Sequence, residues 1–369
     1  MFRNIKGQNQ VVKLLSSQIA NDRTAQAYLF HGGEGVGKYL TALYFGMALN
    51  CLSTSEFRPC GICHSCKKFL SYDHSDFIYI FPSTNLQLTT DGEIKSNEGL
   101  KLYEGYISNK KLTPWQDFIW GGAVMIRKES IMMLSKRLEM SITEARYRIV
   151  IIEEADRMNQ ETANAFLKKL EEPPDRTVII LITERVSMLL PTIISRCQQV
   201  YFRPLSHTAI ETILRERFDI DSHSARTAAR MSNANAKQAI KLALEDTNTT
   251  RDTAFEIFTL AYKHDELGFH NLITKPQSQI NAEFVLELIK YISLIVNDIC
   301  IFQTNSDLIT NSDRAEFITT VSQNLPELSE KAADTLVELE SLPRMLAVNV
   351  NITFILIKIY HLLSDLLSA

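Results

Sequence analysis

The chain has 369 residues, of which 45% are hydrophobic and 22% charged, the composition of a globular protein long enough for two or three domains. Its formal net charge of −4 argues against a surface built to coat nucleic acid, so we expect any DNA contact to be local or shared with partners. The first residues lack the apolar core of a signal peptide, and charges interrupt the late apolar stretch 353–367. We therefore expect a cytoplasmic protein without a membrane partner.

Apolar runs alternate with amphipathic helices through residues 1–205, a rhythm typical of a parallel sheet covered on both faces. The runs are continuous rather than alternating, as is usual for strands buried on both sides. The candidate strands are Ala27–His31, Phe77–Phe81, Arg148–Ile152 and Val178–Thr183, with a further short apolar run at 200–202. We predict an α/β domain over this part of the chain.

The stretch 31–41, HGGEGVGKYLT, lies between the first candidate strand and a predicted helix. Gly32, Gly37 and Lys38 match the phosphate-binding pattern G-x-x-x-x-G-K-[ST], in which backbone N–H groups surround the phosphates. Tyr39 replaces the Ser or Thr that holds Mg²⁺, and a phenol is too long to place its oxygen in an octahedral shell. We predict a loop that keeps its shape while ATP and Mg²⁺ bind weakly or not at all.

Four of the six cysteines form a C-x8-C-x2-C-x2-C pattern within residues 50–68, at Cys51, Cys60, Cys63 and Cys66. Thiolates at such spacing in a chain without an export signal predict a tetrahedral zinc site rather than disulfides. Because four cysteines fill the shell, the zinc is expected to be structural, and His64 is the less favoured ligand. Lys67 and Lys68 lie beside this module and leave open a zinc-dependent module that binds nucleic acid, although paired lysines are commonly a solvated face.

Residues 82–125 have a mixed composition, with turn signals at 82–85 and 90–92, and are treated as an insertion. Trp115 and Trp120 indicate that this segment packs against another part of the protein. No motif in it predicts a function.

Two carboxylates, Glu153 and Glu154, follow the third candidate strand. In P-loop ATPases one such acid lies near Mg²⁺ and a second near the attacking water. The first is usually Asp, so Glu153 is one methylene too long, and Glu154 takes the water-activating position. Thr183 ends the next strand, at the edge where ligands bind in open α/β sheets. Two acids after a strand are also found in solvated turns, so this interpretation depends on the preceding loop.

Arg196 lies in Ser195-Arg196-Cys197, just before the apolar run at 200–202. An arginine aimed at the γ-phosphate of a neighbouring molecule stabilises transition-state charge and contributes roughly 10³–10⁵ in rate. The alternative is an arginine in a surface ion pair.

Helical periodicity replaces the strand pattern from about residue 206. The predicted helices at 209–218, 224–231 and 236–244 are typical of a small helical lid domain, assigned to 206–248. The remainder, 249–369, continues all-helical and predicts a third domain.

Taken together, several motifs resemble the AAA+ clamp-loader subunits of bacterial DNA polymerase III. They are RTAQAYLF at 23–30, the glycine-rich loop, the four-cysteine module, IIEEADRM at 151–158, LKKLEEPP at 167–174 and SRC at 195–197. The resemblance covers residues 1–245 apart from the insertion. It implies an AAA+ parallel-sheet domain with an inserted zinc module, a small helical lid domain and a C-terminal helical collar that serves oligomerisation.

Within that family the delta-prime type often lacks a working P-loop but keeps the Ser-Arg-Cys arginine, and Tyr39 and Glu153 place this chain with that type. The resemblance implies that Arg196 acts in trans as an arginine finger on an ATPase neighbour. Lys237 lies where the ATPase subunits carry a sensor-2 arginine, and lysine keeps the charge but not the guanidinium fork. The implied partners are the ATPase and delta subunits, the sliding clamp and, through the complex, primer–template DNA.

Two other hypotheses remain open. One is a divergent, gamma/tau-like ATPase subunit in which Glu153 and water complete the metal site despite Tyr39, and Mg²⁺-dependent ATP binding would favour it. The other is a zinc-dependent single-strand DNA-binding module, which salt-sensitive DNA binding by the isolated chain would favour.

Overall fold

The computed structural model describes residues 2–53, 57–89, 93–244, 248–274, 281–302, 309–324, 328–347 and 350–368. The chain divides into two compact units, Met1–Lys241 and Leu242–Ala369. The finer division expected at residues 205 and 248 stays a prediction, and the turn predicted at 90–92 lies outside the described residues.

Five strands of the first unit form one parallel sheet. They are β1 (Ala27–Gly32), β2 (Phe77–Ile80), β3 (Arg148–Ile152), β4 (Thr177–Thr183) and β5 (Gln198–Phe202). The strand order is β2-β3-β4-β1-β5, and each neighbouring pair is parallel. Because β3 and β4 are buried along their whole length, their apolar runs are continuous. The predicted strands and parallel sheet are confirmed, and the run at 200–202 belongs to β5.

Ten helices begin in the described part of the first unit, and the last of them extends past its boundary at Lys241. They are α1 (Asn9–Ala20), α2 (Lys38–Leu49), α3 (His64–Ser71), α4 (Asn97–Leu112), α5 (Lys128–Glu139), α6 (Gln160–Glu171), α7 (Pro191–Ile194), α8 (His207–Phe218), α9 (Ser222–Met231) and α10 (Ala236–Leu244). The last three correspond to the helices predicted for the lid.

Helix α6 shows how the local sequence sets the packing on the sheet. Its N-terminus is capped by Asn159, whose side-chain oxygen accepts a hydrogen bond from the N–H of Thr162 at 2.8 Å. Ala163, Phe166 and Leu170 share one face of the helix and are buried in a cluster with residues of β3 and β4. This arrangement packs α6 against β3 and β4, whose carboxyl ends lead into the candidate site.

The insertion contributes α4 and packs on the β2 edge of the sheet. Ser83 and Met125, near its two ends, form an isolated antiparallel bridge. Trp120 stacks with Phe81, which follows β2, at a ring-centroid distance of 6.0 Å, and lies 5.0 Å from the ring of Tyr106 in α4. The segment is therefore joined to the sheet by its aromatic side chains.

The second unit is helical wherever the structure describes it. Its helices are α11 (Asn248–Tyr262), α12 (Glu266–Ile273), α13 (Ala282–Phe302), α14 (Ala315–Asn324), α15 (Leu328–Ala347) and α16 (Ile352–Leu367). Val285 and Ile292 of α13, Leu339 of α15 and Ile359 of α16 are buried. In the described part of the chain, we find no helix with the length and hydropathy needed to cross a membrane.

Candidate nucleotide cleft and metal centre

The glycine-rich loop joins β1 to α2 in a conformation that suits glycine. Gly32 has φ 145° and Gly37 has φ 91°, both in the positive region that L side chains rarely adopt. A Cβ on Gly32 would lie 2.3 Å from the carbonyl oxygen of Phe202. Helix α2 begins at Lys38, so the strand, loop and helix follow in the order that the phosphate-binding pattern requires.

The Lys38 ammonium is bound by acceptors of the protein itself. The side chain is 7% exposed and donates hydrogen bonds to the carbonyl oxygens of Gly32, at 2.8 Å, and Gly33. The Glu184 carboxylate lies 3.6 Å away. Burial lowers the pKa of Lys38 from its usual value, against the opposing attraction of Glu184.

Tyr39 belongs to a cluster of tyrosines beside the loop. Its hydroxyl is hydrogen-bonded to the hydroxyl of Tyr72, and its ring centroid lies 5.4 Å from that of Tyr79. Burial raises the pKa of Tyr39 well above its usual value, so the phenol stays neutral at physiological pH. The hydroxyl is therefore engaged with another phenol at the position where the loop pattern has a metal-binding alcohol.

Glu153 follows β3 and has protein partners on both carboxylate oxygens. The hydroxyl of Tyr79 donates to Oε2, and the Lys110 ammonium lies 2.7 Å from Oε1. The side chains of Lys110 and Glu153 are 13% and 15% exposed. The Lys110 ammonium also lies 4.2 Å from the ring centroid of Tyr39, a cation–π geometry. The acid expected to face a metal thus faces a lysine.

The other strand-end residues are also paired. Glu154 forms an ion pair with Arg157 at 2.5 Å. Thr183 is buried at the end of β4, and its hydroxyl donates to a carboxylate oxygen of Asp156 at 2.7 Å. The other oxygen of Asp156 pairs with Arg185 at 2.6 Å. Thr183 and Glu153 therefore end neighbouring strands, but their described contacts are with different groups.

Lys237 lies in α10 and reaches the glycine-rich loop. Its ammonium pairs with Glu34 of that loop at 3.0 Å and with Asp117 of the insertion. The side-chain amide of Asn235 donates to the second oxygen of Glu34 at 3.2 Å. Lys237 is therefore close to the loop and is paired there with two carboxylates.

Arg196 lies near the amino-terminal ends of the strands, whereas the glycine-rich loop lies at their carboxyl-terminal ends. It precedes β5, in which Gln198 pairs with Tyr28 near the start of β1, whereas the loop follows the end of β1. Tyr28 and Gly32 are four residues apart in β1, and at about 3.3 Å per residue this length of strand alone separates the two ends of the sheet by ~13 Å. The guanidinium pairs with Glu171 at 2.7 Å, and its side chain is 37% exposed. It adjoins an open cavity of about 510 Å³.

The four predicted metal-binding cysteines, Cys51, Cys60, Cys63 and Cys66, are brought together, with all four Sγ atoms within 4.8 Å of one another. Zn–S bonds of about 2.3 Å in a tetrahedron imply S–S distances of ~3.8 Å, and Cys60 and Cys66 are 4.0 Å apart. The N–H groups of Cys60 and Cys63 donate to the sulfurs of Cys51 and Cys60, each at 3.4 Å, which favours thiolates. This donor set fits a closed metal site. His64 is exposed and lies outside the group.

The sequence interpretation missed Lys110 and Asp117, and it also missed the two tyrosines that contact Tyr39 and Glu153, Tyr72 and Tyr79. None of them belongs to a motif, and the insertion carries no periodic signal that relates it to the loop. The aromatic content of the insertion was the only available indication that it packs on the sheet.

The sheet order, the glycine-rich loop after β1 and the strand-end acid after β3 define a P-loop-type α/β protein whose cleft is lined by paired side chains. The family described as DNA polymerase III, delta subunit, matches residues 7–206, more than half of the chain. The chain belongs to this family, as a clamp-loader subunit of the delta-prime type.

Two relatives from Bacillus subtilis agree with this assignment. The chain is 34% identical over 239 residues to "DNA polymerase III subunit delta'" of Bacillus subtilis, a match that covers 65% of this chain and 60% of that protein. It is 25% identical over 246 residues to "DNA polymerase III subunit tau" of the same organism, covering 65% of this chain and 37% of that one. The chain thus spans about 60% or less of these two relatives. A crystal structure of a gamma subunit-related protein from Thermotoga maritima has a TM-score of 0.48 at 18% identity and covers 96% of this chain and 99% of that one.

Proposed function

We propose that this chain is a non-hydrolysing subunit of a cytoplasmic clamp loader, which helps to place the sliding clamp on primed DNA during replication. Its partners in this proposal are ATPase subunits, a delta subunit, the clamp and, through the complex, DNA. The chain supplies Arg196 to the nucleotide site of a neighbouring ATPase subunit and does not turn over ATP itself.

The observation that carries this proposal is that side chains of the protein itself already pair with the cleft residues expected to face Mg²⁺. Tyr39 and Glu153, at the two positions that face Mg²⁺ in an active P-loop site, are both bound to protein partners, and Glu153 is ion-paired with Lys110. Mg²⁺ needs nearly octahedral oxygen ligands, and the cleft offers it a phenol pair and a neutralised carboxylate. This favours the non-hydrolysing hypothesis over a gamma/tau-like ATPase.

The position of Arg196 supports its action in trans. Arg196 lies at the amino-terminal end of β5, and its own glycine-rich loop lies at the carboxyl-terminal end of β1. The Arg196 side chain is therefore too short to reach Lys38. Its pairing with Glu171 is exposed, and such pairs contribute only ~0–1 kcal/mol, so the arginine is readily released to a stronger anion. A γ-phosphate on an adjacent subunit is such an anion.

We also propose that the cysteine cluster holds one structural Zn²⁺. When bound, the ion would cross-link the chain segment before α3 to the helix, with four thiolates and no open position for water. The DNA-binding alternative gains little from Lys68, since its ammonium already pairs with Glu144 at 2.7 Å.

The test is ATP turnover by a loader reconstituted with the chain, its ATPase and delta partners, the clamp and primed DNA. The variants are Arg196→Ala, Lys38→Ala and, as a matched control, Arg146→Ala, which removes an exposed arginine paired with Asp22. We expect Arg196→Ala to reduce turnover on the order of 10²-fold or more and the other two to leave it unchanged. Damage by Lys38→Ala, or ATP hydrolysis by the chain alone, would instead identify an ATPase. Salt-sensitive DNA binding by the isolated chain would favour the third hypothesis.

A further inference from the structure

The insertion reaches the candidate nucleotide cleft at two places. Helix α4 brings Lys110 to Glu153, and the segment after it brings Asp117 to Lys237 of α10. These are the positions at which a bound Mg²⁺ and a bound phosphate would find their protein partners in an active P-loop site.

Lys110 places a positive charge next to Glu153, the acid that follows β3. Its ammonium lies 2.7 Å from Glu153 Oε1 in a largely buried pair, and Tyr79 donates to the remaining oxygen. The ring of Tyr39 lies 4.2 Å from the same ammonium and adds a cation–π contact. A divalent cation at this place would lose its carboxylate ligand and be repelled by the lysine.

Asp117 supplies negative charge to the lysines of α10. Its carboxylate pairs with Lys237 through one oxygen and with Lys241, at 2.5 Å, through the other. Lys237 also pairs with Glu34 of the glycine-rich loop at 3.0 Å. The α10 lysines are therefore neutralised without a nucleotide.

Aromatic contacts anchor the same segment at two places. Tyr106 stacks on Phe81 beside the sheet, with ring centroids 4.1 Å apart. Trp115 makes an edge contact with Phe218 at the end of α8, at 4.9 Å. The segment thus contacts the sheet and two of the three helices α8–α10.

We propose that residues 97–120 occupy the nucleotide cleft in cis, with Lys110 as a built-in cation on Glu153 and Asp117 as a built-in anion between the lysines of α10. The segment thereby holds helices α8–α10 in place in the absence of nucleotide. The inference rests on the proposed interpretation of Glu153 and Lys237 as residues of a former nucleotide site.

The first experiment measures ATP binding to the full chain by equilibrium titration in MgCl₂ and in EDTA. The variants are Tyr39→Thr, Lys110→Ala and the double variant, with Lys128→Ala as a control that removes an exposed lysine paired with Glu161. We expect Mg²⁺ to tighten binding at least ~10-fold only in the double variant, because only there are the alcohol restored and the competing ammonium removed.

Two results would overturn the proposal. One is an equal Mg²⁺-dependent gain in Tyr39→Thr alone, which would show that Lys110 does not compete for the site. The other is no gain in a double variant whose circular dichroism and melting temperature show that it is folded.

A second experiment remains decisive if the double variant does not fold. Amide hydrogen exchange of α8–α10 is compared in the wild type, in Asp117→Asn and in Asp22→Asn, a control that removes another exposed carboxylate in an ion pair. Loss of two partly exposed ion pairs is expected to speed exchange in α10 about two- to fivefold in Asp117→Asn only. Equal exchange in the two variants would overturn the anchoring role.

Neither measurement requires a partner subunit. Failure of the arginine test in the reconstituted loader and failure of this inference are therefore separate results.

Discussion

Asp76 is a buried carboxylate whose main partners are backbone amides rather than a single cation. Its oxygens accept hydrogen bonds from the N–H groups of Thr143, Glu144 and Ala145, at 2.9–3.2 Å. Burial raises its pKa, but these amides, together with Arg148, outweigh burial and lower it below the usual value. Glu153 is partnered differently, by Lys110 and a tyrosine. At the scale of single residues, the surrounding groups therefore distinguish the two carboxylates: backbone amides bind Asp76, whereas Lys110 and Tyr79 bind Glu153.

We predict that Asp76→Asn lowers the free energy of unfolding at pH 7 by about 1.5–3 kcal/mol, because charge-assisted hydrogen bonds to buried amides are lost. Since the folded pKa of Asp76 is depressed, its contribution is present above the unfolded pKa of about 3.9 and is lost as the pH falls through the folded value. The difference between wild type and variant should therefore shrink below about pH 4. Denaturant unfolding from pH 7 to pH 2.5 measures it, with Asp73→Asn as an exposed control. A constant difference over this range would contradict the prediction.

At the scale of elements, α3 is joined to the cysteine cluster through its first turn. Cys63 caps the helix, its sulfur accepting from the N–H of Cys66 at 3.5 Å, and both belong to the candidate metal site. The helix is only eight residues long, too short to be stable by itself. Phe69 packs the helix against Phe77 of β2, with ring centroids 5.2 Å apart, and we expect a metal ion held by the cluster to stabilise the first turn.

We predict that Cys66→Ser abolishes the binding of about one Zn²⁺ per chain and lowers the melting temperature on the order of 5 °C or more. Cys197→Ser is the control, because Cys197 packs against the sheet core and is not part of the cluster. Metal analysis of the purified chains and calorimetry measure the two effects. Full zinc content in Cys66→Ser would refute the four-thiolate assignment.

The strands and the insertion differ in how much could be predicted. Strands β1, β3 and β4 were predicted because burial on both faces leaves a continuous apolar run in the local sequence. Helix α4 is not among the predicted elements. Its contacts with Phe81 and Glu153 join residues distant in the chain, and no local sequence pattern records them. Composition indicated only that the segment packs.

For the whole molecule, the two compact units carry separate buried cores. In the first, β1, β3 and β4 form the centre of the sheet. In the second, α13 is buried among α11, α15 and α16. Units with their own cores are expected to fold by themselves.

We predict that fragments 1–244 and 248–369, divided after the end of α10, each unfold cooperatively in calorimetry with a helical circular dichroism spectrum. The control is the full chain cleaved at an engineered site between residues 244 and 248. An unfolded or aggregated 248–369 fragment would show that the second unit requires the first.

The sequence by itself determined the features whose residues are close together in the chain. The glycine-rich loop, the four cysteines and the apolar strands are local patterns, and they sufficed for the family, the sheet and a cluster of four cysteines that could hold a metal ion. Only the tertiary structure decided what occupies the cleft. Lys110 and Glu153 are 43 residues apart, and Asp117 and Lys237 are 120 apart. Charges so distant meet only after the chain has folded, so no local pattern records their pairing.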